Sequence, residues 1–455
     1  MKQRLKRLSV LMSLCIAITL LGGCNANTDN TNQAESTEQK ESETQEMVEF
    51  VDYAGSVELN MSSNSAKAEV TVKTFVDGDT THFNISESIM ETGVLKARYL
   101  SVNTPESTGK IEEYGKAASN FTREKLSQAT SIIVESDDSN WNVDSTSERH
   151  LVWVWYRTDD SETYRNLNIE LLQNGLAIAN SSAQGRYGST CMEAIGQAKD
   201  AKLNIYSGQK DPDFYYGEAV ELTIKELRAN AENYNGMKVA FNGVIIANSD
   251  NSVYVESYDA ETDMYYGFSV YYGFGLSGEG LDILSLGNEV RIVGTVQYYE
   301  VGGTYQVAGV SYRMMKPDDP NNIQKLSEGH TPAYVLTEAD TFTNGEVELL
   351  IGEEMETFEY AELALCTSIE MHDLKVQDVY TTTKEDSSSK GAMTLTCMAG
   401  GVPVTVRTGV LYDADKTLIT EEQYAGKTID VKGFVDFYDG AYQIKVFSAD
   451  NITIK

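Results

Sequence analysis

The sequence predicts a multidomain protein of α+β and mainly β character, with one mixed block followed by two small β-barrels. Three observations predict this. Residues 66–213 interleave alternating, strand-like stretches with stretches of helical spacing. Beyond about residue 219, short strands dominate, separated by Asn, Asp and Gly turns. One glycine-bounded pattern also occurs twice in that C-terminal part, as Gly287-Asn288-Glu289-Val290-Arg291-Ile292-Val293-Gly294-Thr295-Val296 and as Gly426-Lys427-Thr428-Ile429-Asp430-Val431-Lys432-Gly433-Phe434-Val435.

In the mixed block, Ala68–Thr74 and Val94–Val102 alternate as strands, and Leu151–Tyr156 is a strand rich in Val and Trp. Tyr114–Gln128 has helical spacing, with Ala118, Phe121 and Leu126 on one side. A second helix begins at Leu167 and stops near Gly175, and a third covers Cys191–Ala201. In the C-terminal part, strands are expected at Met237–Ile246, Asn288–Tyr299 and Thr304–Val310. Each copy of the repeat is followed by a tight turn and a closing strand, Tyr305-Gln306-Val307 or Tyr442-Gln443-Ile444. The second repeat glycine suits a strand bending at a barrel corner. The spacing resembles that of bacterial OB-fold modules, placed at 219–315 and 332–455; a pair of β-sandwiches is the alternative. Residues 316–331, with Pro317 and Pro320, read as the linker between them.

The chain has 455 residues, 36 Lys+Arg against 69 Asp+Glu and a formal charge of −33. Apolar residues make up 41%, enough for packed cores. The acid excess excludes a general nucleic-acid coat, because neutralising phosphates needs Lys and Arg. Residues 1–23 read as an export signal: Lys2, Arg4, Lys6 and Arg7 precede an apolar run from Val10 to Leu21. The run ends in Leu21-Gly22-Gly23-Cys24, which resembles the bacterial lipobox. That resemblance implies a lipidated Cys24 and attachment at the extracellular face of the cell membrane. Residues 24–65 then read as a disordered linker, poor in apolar residues before Met47. Cys366 and Cys397 either form a disulfide or stay as free thiols, with Cys191 left over; spacing does not decide.

Chemistry-bearing residues concentrate in the mixed block. Val76-Asp77-Gly78-Asp79-Thr80 follows a strand, a turn in which Gly is expected to take positive φ and Asp to cap backbone N–H groups. Arg98-Tyr99-Leu100-Ser101-Val102-Asn103-Thr104-Pro105-Glu106 is a strand leading into a Pro-fixed turn. Together with Tyr114-Gly115, Ala118-Ser119, Phe121-Thr122, Gly175-Leu176-Ala177 and Lys202-Leu203-Asn204-Ile205-Tyr206-Ser207, in this order, they resemble staphylococcal-type thermonucleases over residues 66–213.

The resemblance implies a five-stranded OB-type barrel with three helices. It also implies a Ca²⁺-dependent nuclease that hydrolyses DNA, and RNA as an alternative substrate, to 3′-phosphate products. By resemblance Asp79, Asn103 and the Thr104 backbone carbonyl are the metal ligands. Glu106 is the general base, and Arg98 and Arg149 clamp the phosphate. Asp77 reads as a turn or supporting residue. Such chemistry needs a hard cation on oxygen ligands to withdraw phosphate charge, a carboxylate to take a proton from water, and guanidinium groups for the equatorial oxygens.

Three departures stand out. Asn103 occupies a position where the family has Asp. Arg149 follows Thr146-Ser147-Glu148 rather than sitting in a Tyr-Gly-Arg turn, with Arg157 as a weaker candidate for its role. The base-stacking aromatic of that turn is missing, and Tyr187 is a candidate replacement. For Arg98 and Glu106 the competing expectation is a mutual ion pair. The four histidines show no ligand spacing, and no other nucleotide-binding or hydrolase motif is present. The tyrosines clustered between Tyr254 and Tyr305 read as half-buried strand residues, which leaves the two C-terminal modules a scaffolding or weak-binding role. The alternative function is a degenerate nuclease-like lipoprotein that binds nucleic acid, glycan or protein. No particular protein partner is indicated.

Overall fold

The computed structural model describes residues 50–145, 149–159, 163–249, 251–383, 387 and 389–455. The expected export signal, Cys24 and the linker up to residue 49 lie outside the described residues. Within them, no helix is long and apolar enough to cross a membrane.

The first ordered element lies inside the stretch expected to be a disordered linker. Helix α1 (Tyr53–Ser56) is capped by Asp52, whose carboxylate also takes two hydrogen bonds from Arg165, at 2.6 and 2.8 Å. Ala54 is fully buried, and its N–H donates to Gln173 Oε1 at 3.0 Å. The linker expectation is therefore corrected from residue 50 onward. The stretch is ordered by these long-range polar contacts together with Ala54, Tyr53, Val57 and Leu59, which pack against the core of the first barrel.

The nuclease-like block is a closed barrel of β1 (Lys67–Asp77), β2 (Thr80–Asn84), β3 (Val94–Tyr99), β5 (Ser131–Glu135) and β6 (His150–Arg157). Strands β1, β2 and β3 form an antiparallel meander, β3 runs parallel to β6, and β5 closes antiparallel between β6 and β1. The wall of the barrel is buried on both faces where helices cover it: Trp153 and Trp155 on one face of β6 and Val152 and Val154 on the other are all fully buried. Helices α2 (Gly115–Ser127), α3 (Leu167–Gln173) and α4 (Gly188–Asp200) fall where helical spacing predicts them.

The strand expected over Val94–Val102 breaks after Tyr99. Ser101 adopts a φ of 65°, and the chain re-emerges as β4 (Val102–Asn103), paired with β8 (Ile178–Ala179). Strand β7 (Arg165–Asn166) extends the sheet beside β6. The break turns Asn103 back toward the β1–β2 turn, and it has no signature in apolar alternation.

Two further closed five-stranded barrels follow. The second comprises β10 (Lys238–Ser249), β11 (Ser252–Asp259), β12 (Met264–Tyr271), β13 (Glu289–Tyr299) and β14 (Thr304–Ala308), preceded by β9 (Val220–Glu221) and helix α5 (Ile224–Ala229), with α6 (Glu279–Ile283) between β12 and β13. Strand β15 (Gln324–Ser327) pairs antiparallel with β13. The expected linker at 316–331 is thus corrected: Ile323 and Asn322 are fully buried, and residues 324–327 form an edge strand too polar to register as one. The third barrel comprises β19 (Ser368–Thr381), β20 (Met393–Ala399), β21 (Val402–Thr408), β22 (Thr428–Tyr438) and β23 (Ala441–Val446). It is joined by β16 (Val335–Leu336), α7 (Ala339–Asn344), a hairpin of β17 (Glu346–Ile351) and β18 (Glu354–Glu359), α8 (Tyr360–Leu363) and β24 (Ile452–Ile454). All three barrels share one connectivity, with the third strand parallel to the fifth and the fourth closing on the first.

The sequence repeat is a structural repeat. A Cβ on Gly294 would come within 2.6 Å of the Ala308 carbonyl, and one on Gly433 within 2.6 Å of the Lys445 carbonyl. In both copies the glycine lets the closing strand cross at a barrel corner. The equivalent cross-strand pairs Tyr298–Tyr305 and Phe437–Tyr442 each bring their rings to 5.0 Å. Tyrosine burial in the second barrel is mixed: Tyr266 is buried, Tyr254 and Tyr305 are half-buried, and Tyr258, Tyr298 and Tyr299 are exposed.

The second and third barrels share one apolar core. Glu256 fastens the seam: its carboxylate accepts from Ala333 N at 2.9 Å, Ser368 N at 2.8 Å and Ser368 Oγ at 2.9 Å. Glu256→Ala would leave those buried donors unpaired and is expected to lower stability by about 3 kcal/mol in urea unfolding. Cys191, Cys366 and Cys397 are buried free thiols, which settles the open choice against a Cys366–Cys397 disulfide. Burial pushes Cys366 up to about 11 and the other two to about 12.

Candidate active site

The site is assembled at one end of the first barrel by the β1–β2 turn, the end of β3, the Asn103–Glu106 turn and the start of β6. Asp77 Oδ1 accepts from Gly78 N at 2.7 Å and from Ser107 Oγ at 2.8 Å, tying the β1–β2 turn to the Glu106 turn. Gly78 is not among the positive-φ glycines, contrary to the expectation for this turn. Its role is close approach: a Cβ there would lie 2.8 Å from Thr104 Oγ1 and 2.9 Å from Ala118 Cβ. Thr122 Oγ1 of α2 donates to the Gly78 carbonyl at 2.5 Å, so the first helix pins the turn.

Asp79 is fully buried. Its Oδ2 accepts from Thr104 N at 2.8 Å, and its Oδ1 pairs with Arg98 Nη1. The same guanidinium donates through Nη2 to Asn103 Oδ1 at 2.5 Å. Two side-chain oxygens from separate turns therefore converge on one cationic group. The expected mutual pair of Arg98 and Glu106 is not formed; Arg98 is taken by Asp79 and Asn103, and Glu106 reaches it only through its charge. Arg149 donates to Thr80 Oγ1 at 3.3 Å and to Asp144 Oδ2 at 2.9 Å. Strand β6 runs parallel to β3, with Leu151 beside Arg98, so both arginines serve the same end of the barrel. Burial, then the Arg149 charge, pulls Arg98 down from its ordinary value, though a guanidinium remains protonated.

Burial pushes the Glu106 carboxyl up to about 7, helped by its hydrogen bond to Asp77 and by the Asp77 charge, and opposed by Arg98. A carboxyl held near neutrality suits proton transfer at physiological pH. Asp77, read from sequence as a turn or supporting residue, acts on Glu106 through its charge and holds the adjacent Ser107. Asp144 was missed altogether; it lies in an irregular turn with no motif around it. Thr146, Ser147 and Glu148 lie outside the described residues.

Two candidates fall elsewhere. Tyr187 packs edge-on against Trp153 and Trp155, at 5.0 and 5.5 Å, and donates to Glu135 Oε2, so it is a core residue and not a base-stacking one. Arg157 lies at the far end of β6 over the Tyr164 ring.

Residues 96–208 match the family model of staphylococcal nuclease homologues. This block is a staphylococcal nuclease homologue domain. No curated protein matches the chain. The matched stretch holds Arg98, Asn103, Thr104, Glu106 and Arg149, while Asp77 and Asp79 precede it and reach the site through the β1–β2 turn.

Among the described residues, no three His, Cys, Asp or Glu side chains gather as a metal cluster. The side-chain donors that meet at the Arg98 guanidinium are one carboxylate, Asp79, and one amide oxygen, Asn103, with backbone carbonyls beside them. These are hard oxygens, the donor type that Ca²⁺ and Mg²⁺ take. The convergence of Asp79 and Asn103 on a single positive group fits a cation position. Thr104 Oγ1 is also buried there without a hydrogen-bond partner.

Proposed function

We propose that the protein is a Ca²⁺-dependent nuclease, held at the extracellular face of a membrane by a lipidated Cys24. It hydrolyses phosphodiester bonds of DNA, and also of RNA, and leaves 3′-phosphates. The observation that carries this reading is the gathering of Asp79, Arg98, Asn103, Glu106 and Arg149 at one end of a nuclease-homologue barrel.

Asp79, Asn103 and the Thr104 carbonyl would hold the cation, which when bound withdraws charge from the phosphate oxygens. Glu106 takes the proton of the attacking water through a carboxylate poised near neutrality. Asp77 holds the Glu106 turn through Ser107, so the base stays aimed at the barrel end. Arg149 offers its guanidinium to the equatorial oxygens, where charge grows in the transition state. Arg98 has two tasks. In the metal-free protein it neutralises Asp79 and donates a hydrogen bond to Asn103, and it can turn to phosphate only when the Asp79 charge is met otherwise.

Asn103 supplies an oxygen but no charge. Asn103→Asp is therefore expected to tighten Ca²⁺ binding about tenfold, read by titration calorimetry, since one tenfold step needs only about 1.4 kcal/mol. Unchanged or weaker binding would remove Asn103 from the cation site. The function itself is tested by end-group analysis of a labelled oligonucleotide: Ca²⁺-dependent fragments ending in 3′-phosphate support it, and 5′-phosphate ends or no cleavage overturn it.

Asn103 and the Arg98–Asp79 pair favour a second reading, a degenerate domain that binds nucleic acid, glycan or protein without turnover. Calorimetry with Ca²⁺ and a nucleoside 3′,5′-bisphosphate separates the two. Complete absence of binding favours the second, and turnover by the wild type eliminates it.

A further inference from the structure

We propose that Gln297, in the second barrel, is a positioning residue for Glu106, so that the nuclease-like domain and the barrel after it form one working unit. The proposal rests on the nuclease reading of the Glu106 site and extends it to a residue outside the matched domain.

Glu106 opens a short loop that closes on itself: Glu112 N donates to the Glu106 carbonyl at 2.9 Å, and Glu106 N donates to Glu112 Oε2 at 3.2 Å. Ser107 is held by Asp77. The tip of the loop, Gly109, has a φ of 67° and is held from outside the domain. Gly109 N donates to Gln297 Oε1 at 2.9 Å, and Gln297 Nε2 donates to the Gly109 carbonyl at 2.6 Å. A side-chain amide thus satisfies both backbone groups of one residue, as a neighbouring strand would. The seat is fitted to the loop: a Cβ on Gly309, next to β14, would lie 3.0 Å from the Gly109 carbonyl. Beside the loop, Arg123 of α2 pairs with Glu300, which follows β13.

Gln297 stands where a strand should face solvent. Val296 beside it points into the barrel core, so alternation turns Gln297 outward; yet it is only 5% exposed, because the Gly109 loop covers it. The internal repeat supplies a control. The equivalent residue in the third barrel is Asp436, which takes a hydrogen bond from its cross-strand neighbour Gln443 at 2.8 Å. In the second barrel the cross-strand neighbour of Gln297 is Gln306, and Gln297 turns to Gly109 instead. The same strand position satisfies its own sheet in one copy and clamps the Glu106 loop in the other.

The test uses the full exported chain with Gln297→Met, which keeps the bulk and loses both hydrogen bonds, and Gln297→Glu, which keeps only the acceptor. Expected results are a fall in kcat of about tenfold with KM within about twofold, the scale that loss of orientation at a reacting group gives. Hydrogen exchange at Gly109 should be faster by a similar factor, with Tm essentially that of the wild type. Wild-type kcat in both variants, or a parallel loss of Tm and activity without a kcat-specific effect, would overturn the proposal. If the wild type shows no cleavage, the nuclease reading fails first, and unchanged Gly109 exchange in the variants would then separately overturn the clamp.

Discussion

Glu106→Gln is expected to lower Ca²⁺-dependent cleavage by about 10²- to 10⁴-fold, the range for removing a general base. The substitution keeps the shape of the side chain and the backbone bonds that close the loop on Glu112. It removes the carboxylate that is poised to accept a proton near neutral pH. Folding should not suffer, because the change takes a partly desolvated carboxyl away from the like charge of Asp77. The measurement is steady-state cleavage of a short labelled DNA, with circular dichroism to establish the fold. Near wild-type turnover in a folded variant would remove Glu106 from the mechanism.

The second large effect is expected at Arg98. Its guanidinium spans Asp79 and Asn103 with separate nitrogens, a geometry that a single ammonium cannot reproduce. Arg98→Lys keeps a positive charge beside the fully buried Asp79, so the fold should tolerate it better than Arg98→Ala, which would leave Asp79 uncompensated. Turnover should nevertheless fall by about 10²- to 10³-fold, the loss typical of removing a preorganised transition-state contact. The loss should appear mainly in kcat. A lysine variant with wild-type kcat would show that Arg98 only balances Asp79.

Much of the fold was legible because it is local. Apolar alternation located β1, β3 and β6, helical spacing located the three main helices, and the repeated glycines marked equivalent corners in the two C-terminal barrels. What escaped depends on partners distant in sequence. Helix α1 is ordered by the Asp52–Arg165 pair and by Gln173, which no window around residue 53 contains. The break after Tyr99 rests on a single residue, Ser101, in the left-handed region. Strand β15 is polar because it is an edge, so it resembles a linker.

The site divides in the same way. Asp79, Arg98, Asn103 and Glu106 were legible because they fall in two short motifs, and the barrel brings them together. Their pairing was not legible. Arg98 takes Asp79 rather than Glu106, and Asp77 holds the Glu106 turn through Ser107, because the way the β1–β2 turn meets the Asn103–Glu106 turn decides which side chains approach each other. Tyr187 was an attractive aromatic by position in the chain, but it faces the tryptophans of β6.

The formal charge of −33 first argued against nucleic acid as a partner. In the proposed mechanism two arginines and a bound cation would meet phosphate locally, so the global charge would bear on encounter rate and not on chemistry. Cleavage should accordingly depend on divalent ions and on ionic strength, because salt screens the repulsion between two polyanions.

The most direct test is digestion of plasmid DNA by purified residues 25–455, with Ca²⁺ in one arm and EDTA in the other. The account predicts nicking and linearisation with Ca²⁺ and none with EDTA; intact plasmid in both arms, or equal cleavage in both, would contradict it.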